Sequence, residues 1–174
     1  PLDFIQVNAA LNESMISLAL ELLQPDSGDV ILDLFCGLGN FTLPLAQLAG
    51  HVAGVEGDPA LVARARENAE RNGIVNAEFF ACDLTLNDPT QPWMHKHYSK
   101  MLIDPPRAGA MEVLKQLDFK GIGRIVYISC HPASLARDAG FLVQERGYRL
   151  VAAGAMDMFP QTAHVESIAV FEKP

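Results

Sequence analysis

The stretch Val30-Ile31-Leu32-Asp33-Leu34-Phe35-Cys36-Gly37-Leu38-Gly39-Asn40 decides the fold. Its first six residues form a short, nearly continuous apolar run, which is typical of a parallel strand buried on both faces. Two glycines follow, and glycine lets the backbone turn tightly and pass close to a ligand. The stretch therefore predicts a buried strand ending in a ligand-binding turn, although a turn that only reverses the chain would leave the same pattern.

Strands and helices alternate along the chain around this stretch. The patterning predicts strands at Val30–Phe35, Val52–Glu56, Glu78–Cys82, Lys100–Asp104, Arg124–Ser129, Tyr148–Met156 and Glu166–Glu172. It predicts helices at Asn12–Gln24, Phe41–Leu48, Pro59–Asn72, Met111–Leu117 and Pro132–Arg146. This order favours a Rossmann-like α/β fold, with a mostly parallel seven-stranded sheet, helices on both faces and a closing antiparallel hairpin.

Length and composition bound the class of protein. The 174 residues suffice for one domain with a sizeable core, and we expect a single domain over residues 1–174. No apolar run reaches the ~18 residues of a membrane span, and the start of the chain lacks a signal-peptide pattern. Three widely spaced cysteines favour neither a disulfide framework nor a metal site. We therefore expect a cytoplasmic chain without a membrane partner; since it does not begin with Met, we also expect a piece of something longer.

The acidic balance of the chain limits the partners that it can bind alone. Its formal net charge is −8, from 21 acidic and 13 basic side chains. Proteins that bind nucleic acid by themselves usually present a basic face to the phosphates. Any nucleic-acid role must therefore use a local basic patch or the charge of another domain.

Acidic residues at the ends of the next two strands mark a cofactor site. Open α/β sheets bind ligands beyond the carboxyl ends of their strands. Glu56 ends the second strand, where a carboxylate can accept hydrogen bonds from ribose hydroxyls, and Asp83 follows the third, within reach of an adenine amino group. A nicotinamide dinucleotide also fits a Gly-x-Gly turn, but Phe41 and Thr42 stand near the third glycine of its fingerprint.

Two further strand ends carry candidate chemistry. The fourth strand runs into Asp104-Pro105-Pro106-Arg107, where Asp104 either accepts a hydrogen bond from a substrate or only caps a turn. Cys130 follows the fifth strand and directly precedes a helix, whose free amides and dipole favour the reactive thiolate. A buried cysteine is more often a small hydrophobic residue, but Cys130 lies at the ligand edge of the sheet.

Glu166, at the start of the last strand, is a candidate general base. Glu166 precedes the apolar run Ile168–Phe171, and a carboxylate there can remove a proton from a substrate. His164 could do the same, although a lone histidine more often has a structural role. Arg107 and Arg137 are candidate phosphate contacts or structural side chains.

The quoted residues together resemble the RNA uracil-5-methyltransferase family, which has a class I S-adenosylmethionine-dependent methyltransferase fold. The matching stretches are Phe4–Asn8, Asp33–Phe41, Asp104–Gly109, Ser129–Asp138 and Asp157–Glu166, in the family's order and over essentially the whole chain. Asn40, the insert Gln91–Trp93 and the phrase Ala155–Pro160 are most similar to the members that act on 23S ribosomal RNA; a transfer-RNA substrate is the alternative.

The resemblance implies a role for each matching residue. It makes Cys130 the nucleophile that adds to C6 of a uracil and Glu166 the base that removes the C5 proton. It implies S-adenosylmethionine contacts, with S-adenosylhomocysteine as product, from Gln6, Phe35, Gly37, Asn40, Glu56, Asp83 and Asp104. It places Gln6 and Asp104 near the substrate base as well, with Arg107 and Arg137 on the RNA.

The resemblance also implies parts that these residues do not contain. Family members usually have an N-terminal RNA-binding domain of OB or TRAM type, and the 23S members an iron–sulfur cluster before the catalytic domain. We therefore expect this chain to bind cofactor, bind RNA weakly and have little or no activity alone.

Other classes of protein explain fewer of these residues. An amino-methyltransferase would have an aromatic residue in place of Arg107 and no task for Cys130, and a cytosine-5 enzyme would place a second cysteine after the fourth strand. A thiol hydrolase using Cys130 and His164 leaves Glu56 unexplained. A non-catalytic cofactor-binding module stays open.

Overall fold

The described part of the chain forms one sheet flanked by helices. The computed structural model describes the backbone of residues 9–86, 88–157 and 165–174. Its helices are α1 (Ala9–Leu23), α2 (Thr42–Ala46), α3 (Pro59–Arg71), α4 (Met111–Gln116) and α5 (Pro132–Gln144). Its strands are β1 (Val30–Leu34), β2 (His51–Glu56), β3 (Ala77–Ala81), β4 (Lys100–Ile103), β5 (Arg124–Ser129), β6 (Arg149–Asp157) and β7 (Val165–Glu172). No helix in these ranges is long and apolar enough to cross a membrane.

The strand order places a ligand-binding crevice at β1. The sheet runs β3-β2-β1-β4-β5-β7-β6. Strands β1 to β5 pair in parallel, and β7 pairs antiparallel with both β5 and β6. The predicted mostly parallel sheet with a closing hairpin is therefore confirmed. Because the order reverses between β1 and β4, the carboxyl ends of these two strands form the switch point at which such sheets bind ligands.

Alternating strand residues build a core on each face of the sheet. Leu32 and Tyr127 are fully buried on the face covered by α4 and α5. Ile31 and Val126 are fully buried on the other face, against α1 and α2. Helices cover both faces of the central strands. The sequences of these strands are therefore continuous apolar runs rather than alternating polar and apolar residues.

Two local features differ from the predicted elements. Helix α1 begins at Ala9 rather than Asn12, because the Asn12 side chain does not cap the helix but pairs with Asn40. The predicted loop before β4 contains a 3₁₀ helix, Pro92–His95. Its Trp93 is only 2% exposed, and the Trp93 carbonyl accepts a hydrogen bond from the Tyr98 hydroxyl at 2.7 Å. This segment therefore completes the core on one face of the sheet.

The glycine turn after β1 packs directly against Gly54 of β2. A Cβ at this position would lie 2.9 Å from Cys36 Sγ and 3.0 Å from Phe79 Cδ1, closer than carbon atoms normally pack. The Thr42 hydroxyl would lie 3.1 Å away. The absence of a side chain at Gly54 thus lets the turn after β1 sit directly on β2.

We expect Gly54→Ala and Gly140→Ala to change stability in opposite directions. Overpacking beneath the turn should lower the free energy of unfolding by about 1–3 kcal/mol for Gly54→Ala. Gly140 lies within α5 with nothing within 4 Å of an added Cβ, so alanine there should raise it by about 0.5–1 kcal/mol. Urea unfolding of both variants measures this, and destabilisation by both would contradict the packing described for Gly54.

Candidate active site

The turn after β1 holds an aromatic residue in an unusual backbone conformation. Phe35 has a φ of +64°, and Gly37 and Gly39 follow with φ of +54° and +87°. The left-handed region is costly for a residue with a large side chain and is concentrated at functional sites. The amides of Phe35 and Cys36 both donate to the Val55 carbonyl, at 2.8 and 3.1 Å, and these bonds hold the conformation.

Glu56, at the end of β2, lies against this turn. Its Oε2 accepts a hydrogen bond from the Gly37 amide at 3.0 Å, and its Oε1 accepts one from the Asp58 amide at 3.0 Å. Asp58 in turn caps α3 by accepting from the Ala60 amide at 2.8 Å. The carboxylate predicted to bind a ribose is therefore fixed in place by backbone donors on both sides.

Asn40 is tied to α1 by a reciprocal pair of hydrogen bonds. Asn12 Nδ2 donates to Asn40 Oδ1 at 3.0 Å, and Asn40 Nδ2 donates to Asn12 Oδ1 at 2.9 Å. Because one N–H and one oxygen of each amide are used, the pair fixes the orientation of both side chains. The sequence segment that contains Gln6 precedes α1 and lies outside the described residues, so the predicted role of Gln6 stays a prediction.

A cavity of about 290 Å³ opens beside the turn, between Phe35, the segment after β3, and the loop after β4 with the start of α4. Phe35, Leu84 and Pro106 give it apolar walls. The exposed Asp83 carboxylate stands before Leu84, and its Oδ1 accepts from the amide and the hydroxyl of Thr85 at 2.9 and 2.6 Å. These hydrogen bonds from Thr85 lower the pKa of Asp83. An apolar slot with a carboxylate at its rim suits a flat aromatic base with an amino group.

Asp104 follows β4 directly and lies between the ends of its two neighbouring strands. Its amide donates to the Leu34 carbonyl of β1 at 3.3 Å. Burial, together with the negative charges of Glu166 and Asp33, raises the pKa of Asp104 to about 8. Asp104 is therefore mostly protonated at neutral pH and can donate a hydrogen bond.

Asp33 is a second carboxyl group with a raised pKa, and it lies below the turn. Its side chain is fully buried in the middle of β1, and Oδ2 accepts a hydrogen bond from the Thr42 hydroxyl at 2.5 Å. Burial is the main cause that raises the pKa of Asp33 to about 7, with a further contribution from Glu56. Carboxyl groups whose pKa is raised this far are concentrated at functional sites.

The register of β5 and β7 brings Cys130 next to Glu166. Ser129, the last residue of β5, pairs with Ser167 of β7. Because the two strands are antiparallel, the residue after Ser129 lies beside the residue before Ser167. The thiol and the carboxylate predicted as nucleophile and base therefore meet at one edge of the sheet, next to Asp104.

The surroundings of Cys130 raise the pKa of its thiol. Burial and the charges of Glu166 and Asp104 raise the pKa of Cys130, whereas the positive charge of Arg107 lowers it. This net direction is opposite to the influence expected from the start of α5, because burial of the thiol is the largest influence and the charges of Glu166 and Asp104 add to it.

The two predicted phosphate contacts have different surroundings. Arg107 is exposed in the loop after β4. Arg137 is half exposed and pairs with the buried Asp138, while its Nη2 donates to the Ala108 carbonyl at 2.8 Å. A contact of either arginine with RNA stays a prediction. His164 lies outside the described residues, and among those described no group of three histidine, cysteine or acidic residues could hold a metal ion.

Three important side chains were missed by sequence reasoning. These are Asn12, Thr42 and Asp138, whose hydrogen bonds are made to Asn40, to Asp33 and to the loop after β4. Asp138 ends the motif that begins at Ser129, so its position in that motif was the available signal. Asn12 and Thr42 have partners that no local pattern identifies.

The fold and the site define the class of this chain, and comparisons with known proteins agree. It has the Rossmann-like fold of class I methyltransferases. A solved structure of the Pyrococcus abyssi tRNA (uracil-54, C5)-methyltransferase in complex with S-adenosyl-L-homocysteine matches with a TM-score of 0.80 and 32% sequence identity. The match covers 97% of this chain and 40% of that one.

The family follows from sequence comparison. The family described as tRNA (Uracil-5-)-methyltransferase matches residues 2–87 and 93–174, and the chain belongs to this family. It is 68% identical to the 23S rRNA (uracil(1939)-C(5))-methyltransferase RlmD of Stenotrophomonas maltophilia strain K279a, over 99% of this chain and 39% of the relative. It is 65% identical to the RlmD of Xanthomonas axonopodis pv. citri, with the same coverage. The chain thus spans about two-fifths of the length of these relatives.

Asp104→Asn should stabilise the chain increasingly as the pH rises. The pKa of Asp104 is about 8 when folded and near its usual 3.8 when unfolded, so the wild type loses stability as the pH rises between these values. Asparagine does not ionise, so the variant does not lose stability in this way as the pH rises. The gain should be near zero at pH 4, grow by up to about 1.4 kcal/mol for each pH unit between the two pKa values, and level off above pH 8.

Urea unfolding at pH 5, 7 and 9 measures this gain. In a Glu166→Gln background it should shrink, because one of the charges that raise the pKa of Asp104 is removed. The same gain at every pH would show that Asp104 is ionised throughout.

Proposed function

We propose that this chain is the catalytic part of an enzyme that methylates C5 of a uridine in 23S ribosomal RNA, through a covalent bond between Cys130 and C6 of the uracil. The observation that carries the proposal is the register that sets Cys130 beside Glu166 at the ligand edge of the sheet. Family membership and the names of the RlmD relatives support the substrate.

The residues at the end of β1 fit S-adenosylmethionine as cofactor. Glu56, held by the amides of Gly37 and Asp58, can accept hydrogen bonds from the ribose hydroxyls. The cavity lined by Phe35 and Leu84 fits the adenine. Gly37 has open space where a side chain would stand, so a ligand can approach its backbone. When bound, the cofactor supplies an electrophilic methyl group.

Asn40, Asp83 and Asp104 complete the proposed cofactor contacts, and Gln6 joins them by family resemblance. Asp104 and Gln6 also lie, in this proposal, close to the substrate base. An acidic edge suits a cofactor with a sulfonium charge, because Asp33 and Asp104 gain from a nearby cation when they ionise.

Cys130 and Glu166 then perform the two steps on the uracil. C5 of uracil is a poor nucleophile. Once the Cys130 thiol has released its proton to solvent, addition of the thiolate to C6 moves the C5–C6 π electrons into an enolate that is reactive at C5. After C5 has accepted the methyl group, with S-adenosylhomocysteine as the leaving group, Glu166 removes the C5 proton. The electrons of that C–H bond re-form the C5–C6 double bond as the bond from sulfur to C6 breaks.

The substrate class rests on identity with the relatives. The chain is 68% identical to an enzyme named for 23S rRNA but 32% identical to one named for transfer RNA. We therefore propose ribosomal RNA as partner, with Arg107 and Arg137 near its phosphates, and a cytoplasmic location. Because the chain carries a net charge of −8, most RNA affinity comes from other parts of the enzyme, including the domain expected to hold an iron–sulfur cluster.

A cofactor-binding chain without independent activity is the second proposal for the isolated 174 residues. The acidic balance of the chain favours it, because the basic contacts that hold RNA must lie elsewhere. Turnover of ribosomal RNA by the isolated chain at the rate of the full-length enzyme would contradict this proposal.

Glu56→Gln should weaken binding of S-adenosylmethionine at least about tenfold. Hydrogen bonds to a charged acceptor contribute about 1.5–3 kcal/mol, and the amide replaces that acceptor with a neutral one. Isothermal titration calorimetry of the full-length protein measures the affinity. Glu67→Gln is the matched control, because Glu67 lies exposed on α3 beside Arg71 and should leave the affinity unchanged. Equal affinities for both variants would remove Glu56 from the cofactor site.

Cys130→Ala and Glu166→Gln should block methylation at different steps. Without the thiol no adduct forms, so the full-length Cys130→Ala enzyme should show no methyl transfer and no covalent complex with RNA. Without the base the methylated adduct cannot release the thiol, so Glu166→Gln should accumulate a covalent complex that denaturing gel electrophoresis resolves. Methyl transfer by Cys130→Ala would exclude the covalent mechanism and favour a different class of methyltransferase.

A further inference from the structure

The buried carboxylate of Asp138 joins the two motifs that carry the proposed chemistry. It lies in α5, eight residues after Cys130, and is fully buried. Its Oδ2 accepts hydrogen bonds from the Tyr127 hydroxyl at 2.6 Å and from the Ala110 amide at 2.7 Å. Its Oδ1 accepts from Nε and Nη2 of Arg137, at 2.8 and 2.7 Å. We call Asp138 with these three donor residues the Asp138 latch.

The Asp138 latch forms hydrogen bonds with the loop after β4 at two positions. The Ala110 amide bonds to Asp138 itself, and the Ala108 carbonyl accepts from Arg137 Nη2 at 2.8 Å. Gly109 lies between them with a φ of +84°. A Cβ at Gly109 would lie 2.5 Å from Arg137 Nη2 and 2.7 Å from Asp138 Oδ2. Only glycine therefore allows the backbone of the loop to pass this close to the two side chains.

Arg107 sits in the tight turn that these hydrogen bonds define. The Gly109 amide donates to the Pro106 carbonyl at 2.8 Å, which closes a four-residue turn with Arg107 and Ala108 at its centre. Pro106 has a fixed φ on one side of Arg107, and the latch holds Ala108 on the other. The backbone that directs the Arg107 side chain is therefore held by α5, the helix that begins just after Cys130.

We propose that Asp138 is a positioning residue, which through the latch holds the loop that carries Arg107 next to Cys130. The loop and Cys130 follow β4 and β5, which are neighbouring parallel strands, so their ends lie at the same edge of the sheet. The charged and titratable groups that face Cys130 come from three elements. They are Glu166 of β7, Asp104 after β4, and Arg107 in the loop. Arg107 is the one member of this set that lowers the pKa of Cys130, so displacing it leaves the two carboxyl groups unopposed. This role of Asp138 rests on the proposed role of Cys130 as nucleophile, and it explains how Arg107 is kept where it lowers the pKa of the thiol.

The test measures the pH dependence of Cys130 alkylation by iodoacetamide in the full-length protein, followed by mass spectrometry of the Cys130 peptide. Alkylation reports the thiolate fraction and needs neither RNA nor cofactor. Asp138→Asn should move the midpoint up by about 0.5 to 1 pH unit, because an opposite charge has moved away from the thiol. An unchanged midpoint in the folded variant would overturn the proposal.

Arg107→Gln, alone and combined with Asp138→Asn, distinguishes an effect on the position of Arg107 from a general loss of packing around Cys130. Arg107→Gln alone should raise the midpoint, and adding Asp138→Asn should raise it no further, because the effect of Asp138 acts through Arg107. Additive shifts, or no shift for Arg107→Gln, would contradict the route through Arg107. Tyr148→Phe is the control: it removes a buried hydrogen bond to the Ile122 carbonyl at 2.7 Å, away from Cys130, and should leave the midpoint unchanged.

Tyr127→Phe covers the case in which Asp138→Asn fails to fold. It keeps the Asp138 carboxylate and removes one of its donors, so it should shift the midpoint in the same direction by a smaller amount. No shift in folded Tyr127→Phe, with Asp138→Asn unfolded, would assign Asp138 to stability alone. Methylation by Cys130→Ala is a separate readout, so failure of the latch and failure of the proposed function remain distinguishable.

Discussion

The antiparallel pairing of β7 with β5 is the constraint on which the proposed chemistry depends. Every strand from β1 to β5 points its carboxyl end at the ligand edge, so a parallel β7 would carry Glu166 to the opposite edge of the sheet. The reversed direction instead places the start of β7 beside the end of β5. A shift of one residue in this register would turn Glu166 to the other face of the sheet. Pairing with the buried strand β5 on one side and with β6 on the other holds that register.

The second organising feature is the crowding of carboxyl groups at one edge. Asp33, Glu56, Asp104 and Glu166 come from four different strands or strand ends. Burial and mutual repulsion raise the pKa of Asp33 to about 7 and that of Asp104 to about 8, and the same repulsion raises the pKa of Cys130. A cation bound at this edge would favour the ionised forms of these carboxyl groups. The position of Arg107 matters because, among the charged groups around Cys130, it is the one that lowers the pKa of the thiol.

The sequence predicted the parts of the molecule that depend on local patterns. The buried run before Gly37 identified β1, and the topology of parallel strands then placed Glu56, Asp104 and Cys130 at one edge. The local sequence shows only the helix start next to Cys130, whereas the burial of the thiol and the charges from β4 and β7, which raise its pKa, depend on the whole fold. The hydrogen bonds of Asn12 with Asn40, and of Asp138 with Ala110, join residues 28 positions apart and leave no local pattern. Roles of side chains outside the described residues remain expectations from the family resemblance.

The central claim is that the acceptor atom is C5 of a uracil activated through an adduct, and loss of the C5 hydrogen tests it most directly. Ribosomal RNA carrying tritium at C5 of uridine is methylated by the full-length enzyme, and tritium released to water is compared with methyl groups transferred. The account predicts one tritium released for each methyl group, since the C5 hydrogen must leave before the thiol does. Methyl transfer with tritium retained in the RNA would place the methyl group on another atom and would contradict the account.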